Sequence, residues 1–440
     1  MNLPEKMNRL IGAWAARSGE KGARVGCALF CFRTGRRWDL DGEKRFVPAS
    51  NNKIWTTLTA LEELGPEHRW YTRFAAEEGG RLWIRGGGDP SFDVNAATEV
   101  ARALRRQGLT RLEGPVLLDD GLNRDAPWGR GWAWDDLAQG YSAPVHALNM
   151  EHNRIAFRFD PSSPTPEVIG FSPVQCRAGA EVRLSWSEDP DAEIRIFRTE
   201  GPYGFRLEGE VFRGDPEVRA AVASGPEFFA QVFLEVLREE GIRVPRGGEV
   251  RTGPFPRQPS IRVDQASRPL VEALSLVNGE SDNLVAEVLL RSLGLKETGF
   301  LSQEAGIQKV LGRLAKRRLV PPEVMADGSG LSMYNLSTPS SLNRALVWAR
   351  KKHPWFTAWL KSLPRYGKSG TLRDRRAFLP DGVEVAAKTG TLSGVKSLSG
   401  YLLRGKEPTL AFSLLVNGLL DEKNGEKLQD EVLQLFSAIG

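Results

Sequence analysis

The texture of the chain changes twice, and this limits its possible folds more than any other feature. Residues 1–24 carry a helical pattern, with Leu10, Ile11, Trp14 and Ala15 on one face. The run RVGCALFCF then reads as a strand, and Arg37–Leu40 as its hairpin partner, with Thr34-Gly35 in the turn. A helix follows through Ile54, Leu58, Leu61 and Leu64, stopped by Gly65-Pro66. From about 73 to 266 short strands dominate: RFAAEE, RLWIRGG, GPVLLDD, RIAFRFD, EVRLSWS, EIRIFRT and FRLEGEVF. Turns such as DPSSPTPE and SEDPDAE separate them, and helices interrupt only near 95–107 and 226–240. From 267 helices return. One runs through Leu270, Leu274 and Val277, breaks at Asn278-Gly279, and resumes through Leu284, Val288 and Leu289. Others are expected at 302–317, 338–351 and 425–438, with three antiparallel strands in VEVAAKTGTL, SLSGYLLRG and TLAFSLLVN. Similar elements at both ends fit one α+β (or α/β) unit in which the ends meet, split by an insertion with its own core or cores.

Composition excludes several classes. The net charge is +5 and the pI about 9.1, but the basic residues are scattered and do not interleave with aromatics, so no nucleic-acid groove is expected. The mild excess reads as a surface that tolerates anionic polymers. No apolar run reaches 18 residues, so no membrane-spanning helix is expected. The amphipathic N-terminus lacks the apolar core and cleavage site of a secretory signal; either the protein is cytoplasmic or a signal was removed ahead of residue 1. Cys27 and Cys31 share a strand face but lie too far apart to bond, and Cys176 is elsewhere, so three reduced, mostly buried thiols are expected. His68, His146, His152 and His353 show no metal-ligand spacing, and neither metal nor cofactor is expected.

Chemistry concentrates in three short motifs. Ser50-Asn51-Asn52-Lys53 opens a helix, and residues three apart share a helix face. A serine hydroxyl is a poor nucleophile until a base takes its proton, and a lysine of depressed pKa can be that base. Backbone N–H groups at such a terminus can stabilise an oxyanion. Two other S-x-x-K matches exist, at Ser18–Lys21 and Ser393–Lys396. Ser281-Asp282-Asn283 stands on a turn after Gly279, where a hydroxyl and an amide can point outward together; as a bland alternative it is a helix cap. Lys388-Thr389-Gly390-Thr391 ends a strand, where a glycine permits close approach and a lysine with threonine hydroxyls makes a carboxylate site. Its near copy, Lys368-Ser369-Gly370-Thr371, reads as a loop. The ordered trio S-x-x-K, S-x-N, K-T-G is the signature of penicillin-binding proteins and class A β-lactamases.

Longer segments sharpen this. VPASNNK, GGGDPSF, WAWDDLAQGYSAPVHALNMEHN, DGSGLSMYNLSTP, GTLRDR and AKTGTLSGVKSLSGY occur in order over nearly the whole length. In them the chain resembles the class C low-molecular-mass penicillin-binding proteins, the D-alanyl-D-alanine carboxypeptidase/endopeptidases of peptidase family S13. The resemblance implies a transpeptidase-like domain of the serine β-lactamase type, an antiparallel sheet flanked by helices, formed by residues 1–75 and 267–440. It implies two mainly β inserted domains, one from 76–95 and 176–266, the other from 96–175 nested within it. It makes Ser50 the acylated nucleophile and Lys53 its base. Ser281 relays a proton to the leaving amine beside Lys388, Asn283 holds the substrate amide, and Thr389, Gly390 and Thr391 bind the terminal carboxylate. Backbone N–H groups of Ser50 and Thr391 form the oxyanion hole. The implied partners are peptidoglycan stem peptides and β-lactams as covalent inhibitors, with peripheral membrane or wall association open. The implied place is periplasmic or extracytoplasmic, given a removed signal. A β-lactamase and a non-catalytic wall-binding scaffold are the competing readings.

Overall fold

The computed structural model describes residues 3–77, 80–190, 192–201, 203–245, 247–317, 319, 324–352, 354–376 and 379–438. The ends of the expected first helix and of RFAAEE, and His353, lie outside these residues.

Both ends of the chain build one antiparallel sheet. Its strand order is Val383–Leu392, Val395–Arg404, Glu407–Asn417, Arg24–Cys31, Arg37–Leu40. Arg24 pairs with Asn417, which seats the N-terminal strand beside the last one. Except for the edge strand Arg37–Leu40, these strands are apolar along most of their length because both faces are covered. Side chains alternate across a strand. Leu410, Phe412, Leu414 and Val416, with Cys27, Leu29 and Cys31, face the terminal helices Leu3–Ser18 and Glu422–Ser437 through Met7, Trp14, Leu428, Val432 and Phe436. Ala411 and Leu415, with Phe30, face the helices Lys53–Glu63, Asn283–Leu293 and Pro339–Lys352. All three cysteines are buried free thiols.

The chain leaves this unit along Tyr71–Ala76 and returns along Ile261–Ala266, which pair antiparallel with Tyr71 opposite Ala266. Between them lies a second five-stranded sheet, ordered Val250–Thr252, Val116–Asp119, Leu82–Arg85, Tyr71–Ala76, Ile261–Ala266. Phe74, Phe92, Phe229 and Phe233 pack between this sheet and the helix Gly225–Glu239. Two three-stranded sheets, Glu217–Ala221/Arg154–Phe159/Val168–Ser172 and Gly179–Ser187/Gly204–Phe212/Ile194–Arg198, join the same apolar cluster through Phe157, Phe205 and Leu207.

The limits expected for a nested unit at 96 and 175 do not follow these sheets. Val116–Asp119 runs parallel to Leu82–Arg85, and a parallel pair needs a crossover, here the helix Val94–Arg106. Residues 96–119 therefore belong with 71–85. At the other limit, Arg154–Phe159 pairs with Glu217–Ala221, so that sheet spans 175.

Candidate active site

Ser50 sits where two backbone irregularities meet. Ala49 has φ of 47°, a strained conformation for a residue with a side chain, and a 3-10 turn, Ala49–Asn52, leads into the helix Lys53–Glu63. The turn keeps Ser50 at the surface of a cleft and sends Lys53 inward, where it is fully buried. Lys53 Nζ lies 2.8 Å from Ser50 Oγ, 2.6 Å from Asn283 Oδ1 and 2.7 Å from the Ser329 carbonyl. Burial pulls the Lys53 ammonium down to about 8, against the opposing pull of Asp327, Asp282 and Glu287.

The second wall comes from the helix Asn283–Leu293. A π-helical turn, Ser275–Gly279, precedes it, and Ser281 is left-handed with φ of 61°. Asp282, not Ser281, caps the helix by accepting from Val285 N at 2.9 Å. It also binds Arg154 and, at 3.1 Å, His152 Nδ1. These partners hold the Asp282 carboxyl far below the usual carboxylate range in spite of its burial. Arg154 and His152 come from the inserted region, where Glu151, His152 and Asn153 are successive left-handed residues. Asn283 donates to the Tyr141 carbonyl at 2.9 Å, a second tie across the cleft.

The third wall is the edge strand Val383–Leu392. Lys388 is buried and donates to Ser281 Oγ at 2.9 Å. Burial, aided by the Lys53 charge, holds its ammonium well below the usual amine range. Gly390 lets this strand reach Ser50: a Cβ there would lie 2.2 Å from Ser397 Oγ and 2.9 Å from Ser50 N. Thr389 Oγ1 is 2.6 Å from Thr371 Oγ1.

Eight of the residues expected from sequence thus border one cleft of about 820 Å³ or its floor. Ser50, Ser281, Asn283, Thr389, Gly390 and Thr391 line it, while Lys53 and Lys388 lie beneath Ser50 and Ser281. Thr371, Ser393 and Lys396 of the rival matches also line the cleft, but the lysines of these matches are paired with carboxylates. Lys368 pairs with Glu384 on the surface, and Lys396 with Glu426. Sequence reasoning used DGSGLSMYNLSTP only for the resemblance and gave the loop behind Lys53 no role. There Asp327 accepts from Gly330 N, Ser332 N, Asn335 Nδ2, Ser329 Oγ and Trp132 Nε1 at 2.8–3.1 Å. DGSGLSMYN, with its Gly, Ser and Asn around one aspartate, is the signal that marks such a loop. Thr371, in the discarded copy, was also missed. Among the described residues no three His, Cys, Asp or Glu side chains converge as metal ligands would.

A fold of this kind, with a buried lysine on a helix-entry serine and a second serine–lysine pair opposite, defines the penicillin-binding-protein/serine β-lactamase-like class. Residues 15–439 match the D-Ala-D-Ala carboxypeptidase 3 (S13) family, and the chain belongs to that family of hydrolases. It is 31% identical to a D-alanyl-D-alanine carboxypeptidase of Actinomadura sp., over 90% of this chain and 78% of that protein. It is 25% identical to the D-alanyl-D-alanine carboxypeptidase DacB of Haemophilus influenzae, over 86% of this chain and 82% of that one. Among solved structures, penicillin binding protein 4 from Haemophilus influenzae superposes with a TM-score of 0.80 at 22% identity, covering 98% of this chain and 99% of its own.

Proposed function

We propose that the chain is a serine-type DD-peptidase of peptidoglycan stem peptides, acting through an acyl-enzyme on Ser50 and inhibited by β-lactams. The observation that carries this is the 2.8 Å contact from buried Lys53 to Ser50 Oγ, with the lysine shifted to about 8. As free base, Lys53 takes the Ser50 proton while Oγ attacks the carbonyl carbon of the D-Ala–D-Ala bond. Backbone N–H groups of Ser50 and Thr391 take up the developing oxyanion. Their approach is favoured by the Gly390 gap. Ser281, beside Lys388, passes a proton to the leaving amine as the C–N bond breaks. Asn283 receives the substrate's amide, and Thr389, Gly390 and Thr391 its terminal carboxylate. Water then hydrolyses the ester and frees Ser50.

Family membership and a relative complexed with a β-lactam support the inhibitor class. Endopeptidase relatives of the same fold support cleavage of cross-links as a second use of the cleft. A substrate in the wall places the enzyme outside the cytoplasm, and no helix among the described residues is long and apolar enough to cross a membrane. We further take residues of both chain ends as the catalytic unit and the region between Tyr71 and Ala266 as the insertion, joined by the paired neck strands.

Intact-protein mass after brief exposure to benzylpenicillin tests the reading. One lasting adduct on wild type and none on Ser50→Ala is expected. Rapid loss of the adduct with release of penicilloate would instead identify a β-lactamase. No adduct at any time would leave only a scaffold.

A further inference from the structure

Glu287 has no part in the chemistry above, yet it is fully buried one helical turn beyond Asn283, on the same face of the same helix. Its Oε1 accepts from Gly328 N and from Ser329 N, each at 2.8 Å. The Ser329 carbonyl, on the other side of that residue, accepts from Lys53 Nζ at 2.7 Å. Two of the three acceptors around Lys53, Asn283 Oδ1 and Ser329 O, are therefore set by one helix. The loop has little freedom to settle otherwise. The Gly328 carbonyl is taken by Thr56 Oγ1 at 2.7 Å, and a Cβ on Gly330 would lie 1.9 Å from the Ala49 carbonyl. Glu287 Oε2 is buried without a hydrogen-bond partner among the described residues. With one oxygen bound by two N–H groups and the other without a donor, a carboxylate so buried acts strongly on the charges around it.

We infer that Glu287 is a positioning residue for acyl transfer, which holds the Ser329 carbonyl against Lys53 and whose charge sets how readily Lys53 gives up its proton. The inference rests on Ser50 and Lys53 being the nucleophile and base. The groups facing Glu287 are Asp327 from the loop, Arg291 one turn further along its helix, and Lys53; Arg291 in turn faces Asp125. Lys53 faces Asp327, Asp282, Glu287 and Lys388. Burial and Asp327 raise the Glu287 carboxyl to about 7. In its ionised form its negative charge favours the Lys53 ammonium.

The test is the pH profile of acylation by benzylpenicillin for wild type, Glu287→Gln and Glu287→Ala. Glutamine keeps an acceptor for both N–H groups and removes the charge. Its plateau rate is expected to stay near wild type, while the midpoint of the rise moves to lower pH by on the order of one unit. Alanine removes the acceptor and is expected to lose about tenfold or more at every pH. An unmoved midpoint in the glutamine variant would overturn the electrostatic role. A folded glutamine variant as slow as alanine, or an alanine variant as fast as wild type, would overturn the positioning role. Acylation of wild type in the same series, set against its absence in Ser50→Ala, keeps failure of this inference distinct from failure of the Ser50 reading.

Discussion

Gly390→Ala puts one methyl group where the site has no room for it. The new Cβ would lie 2.2 Å from Ser397 Oγ, 2.9 Å from Ser50 N and 3.0 Å from Ala49 Cβ, against ordinary contact at 3.4 Å or more. Ser397 cannot swing aside freely. Its hydroxyl donates to the Pro48 carbonyl at 2.7 Å and accepts from Asn51, so it braces the turn that carries Ser50. Relief therefore comes from moving the strand away from Ser50 by roughly 1 Å, and a displacement of that size costs about 10²-fold in rate. The same overpacking should lower stability by about 1–3 kcal/mol. The assay is the second-order rate of acylation by benzylpenicillin, followed by quench and intact mass, beside a thermal melt. Ser397→Ala in the same chain removes the nearer obstacle but not the contact with Ser50 N. Partial recovery in the double variant would show that the hydroxyl carries part of the strain. A single variant that acylates within about threefold of wild type would refute the idea that Gly390 is there to bring the strand onto Ser50.

Two further outcomes follow from the charges. Acylation of the wild type should rise with pH through about 8 as Lys53 becomes free base, falling about tenfold per unit below it; a profile flat from pH 6 to 9 would remove Lys53 as the base. Arg154→Ala strips the Asp282 carboxylate of its guanidinium and should cost about 3–5 kcal/mol in urea unfolding near neutral pH. Because Asp282 titrates lower folded than its ordinary 3.8, its ionic contribution is full above that value and is lost as pH falls below it. The gap between wild type and variant should close in acid, and a gap independent of pH would deny the ion pair its role.

The three motifs could be read from the chain because each is local. Ser50 and Lys53 are one turn apart, Ser281 and Asn283 flank a helix start, and Lys388 to Thr391 lie on one strand. Spacing and element type are short-range properties, so periodicity and turn residues declare them. The same holds for the strand that opens the chain and the helices that close it. Other features had no local trace. That Lys53 is a shifted amine depends on burial and on Asp327, Asp282 and Glu287, which approach from other segments. That Asp282 is clamped by Arg154 and His152 depends on the insertion folding back over the cleft. The insertion's own division escaped sequence reading for a related reason. A parallel pair such as Leu82–Arg85 with Val116–Asp119 is joined through a helix, and nothing in either strand says which way its neighbour runs. Sequence alone picked out the residues proposed to carry the chemistry. Tertiary packing decided their charge, because desolvation and pairing are set by whatever the rest of the chain brings alongside.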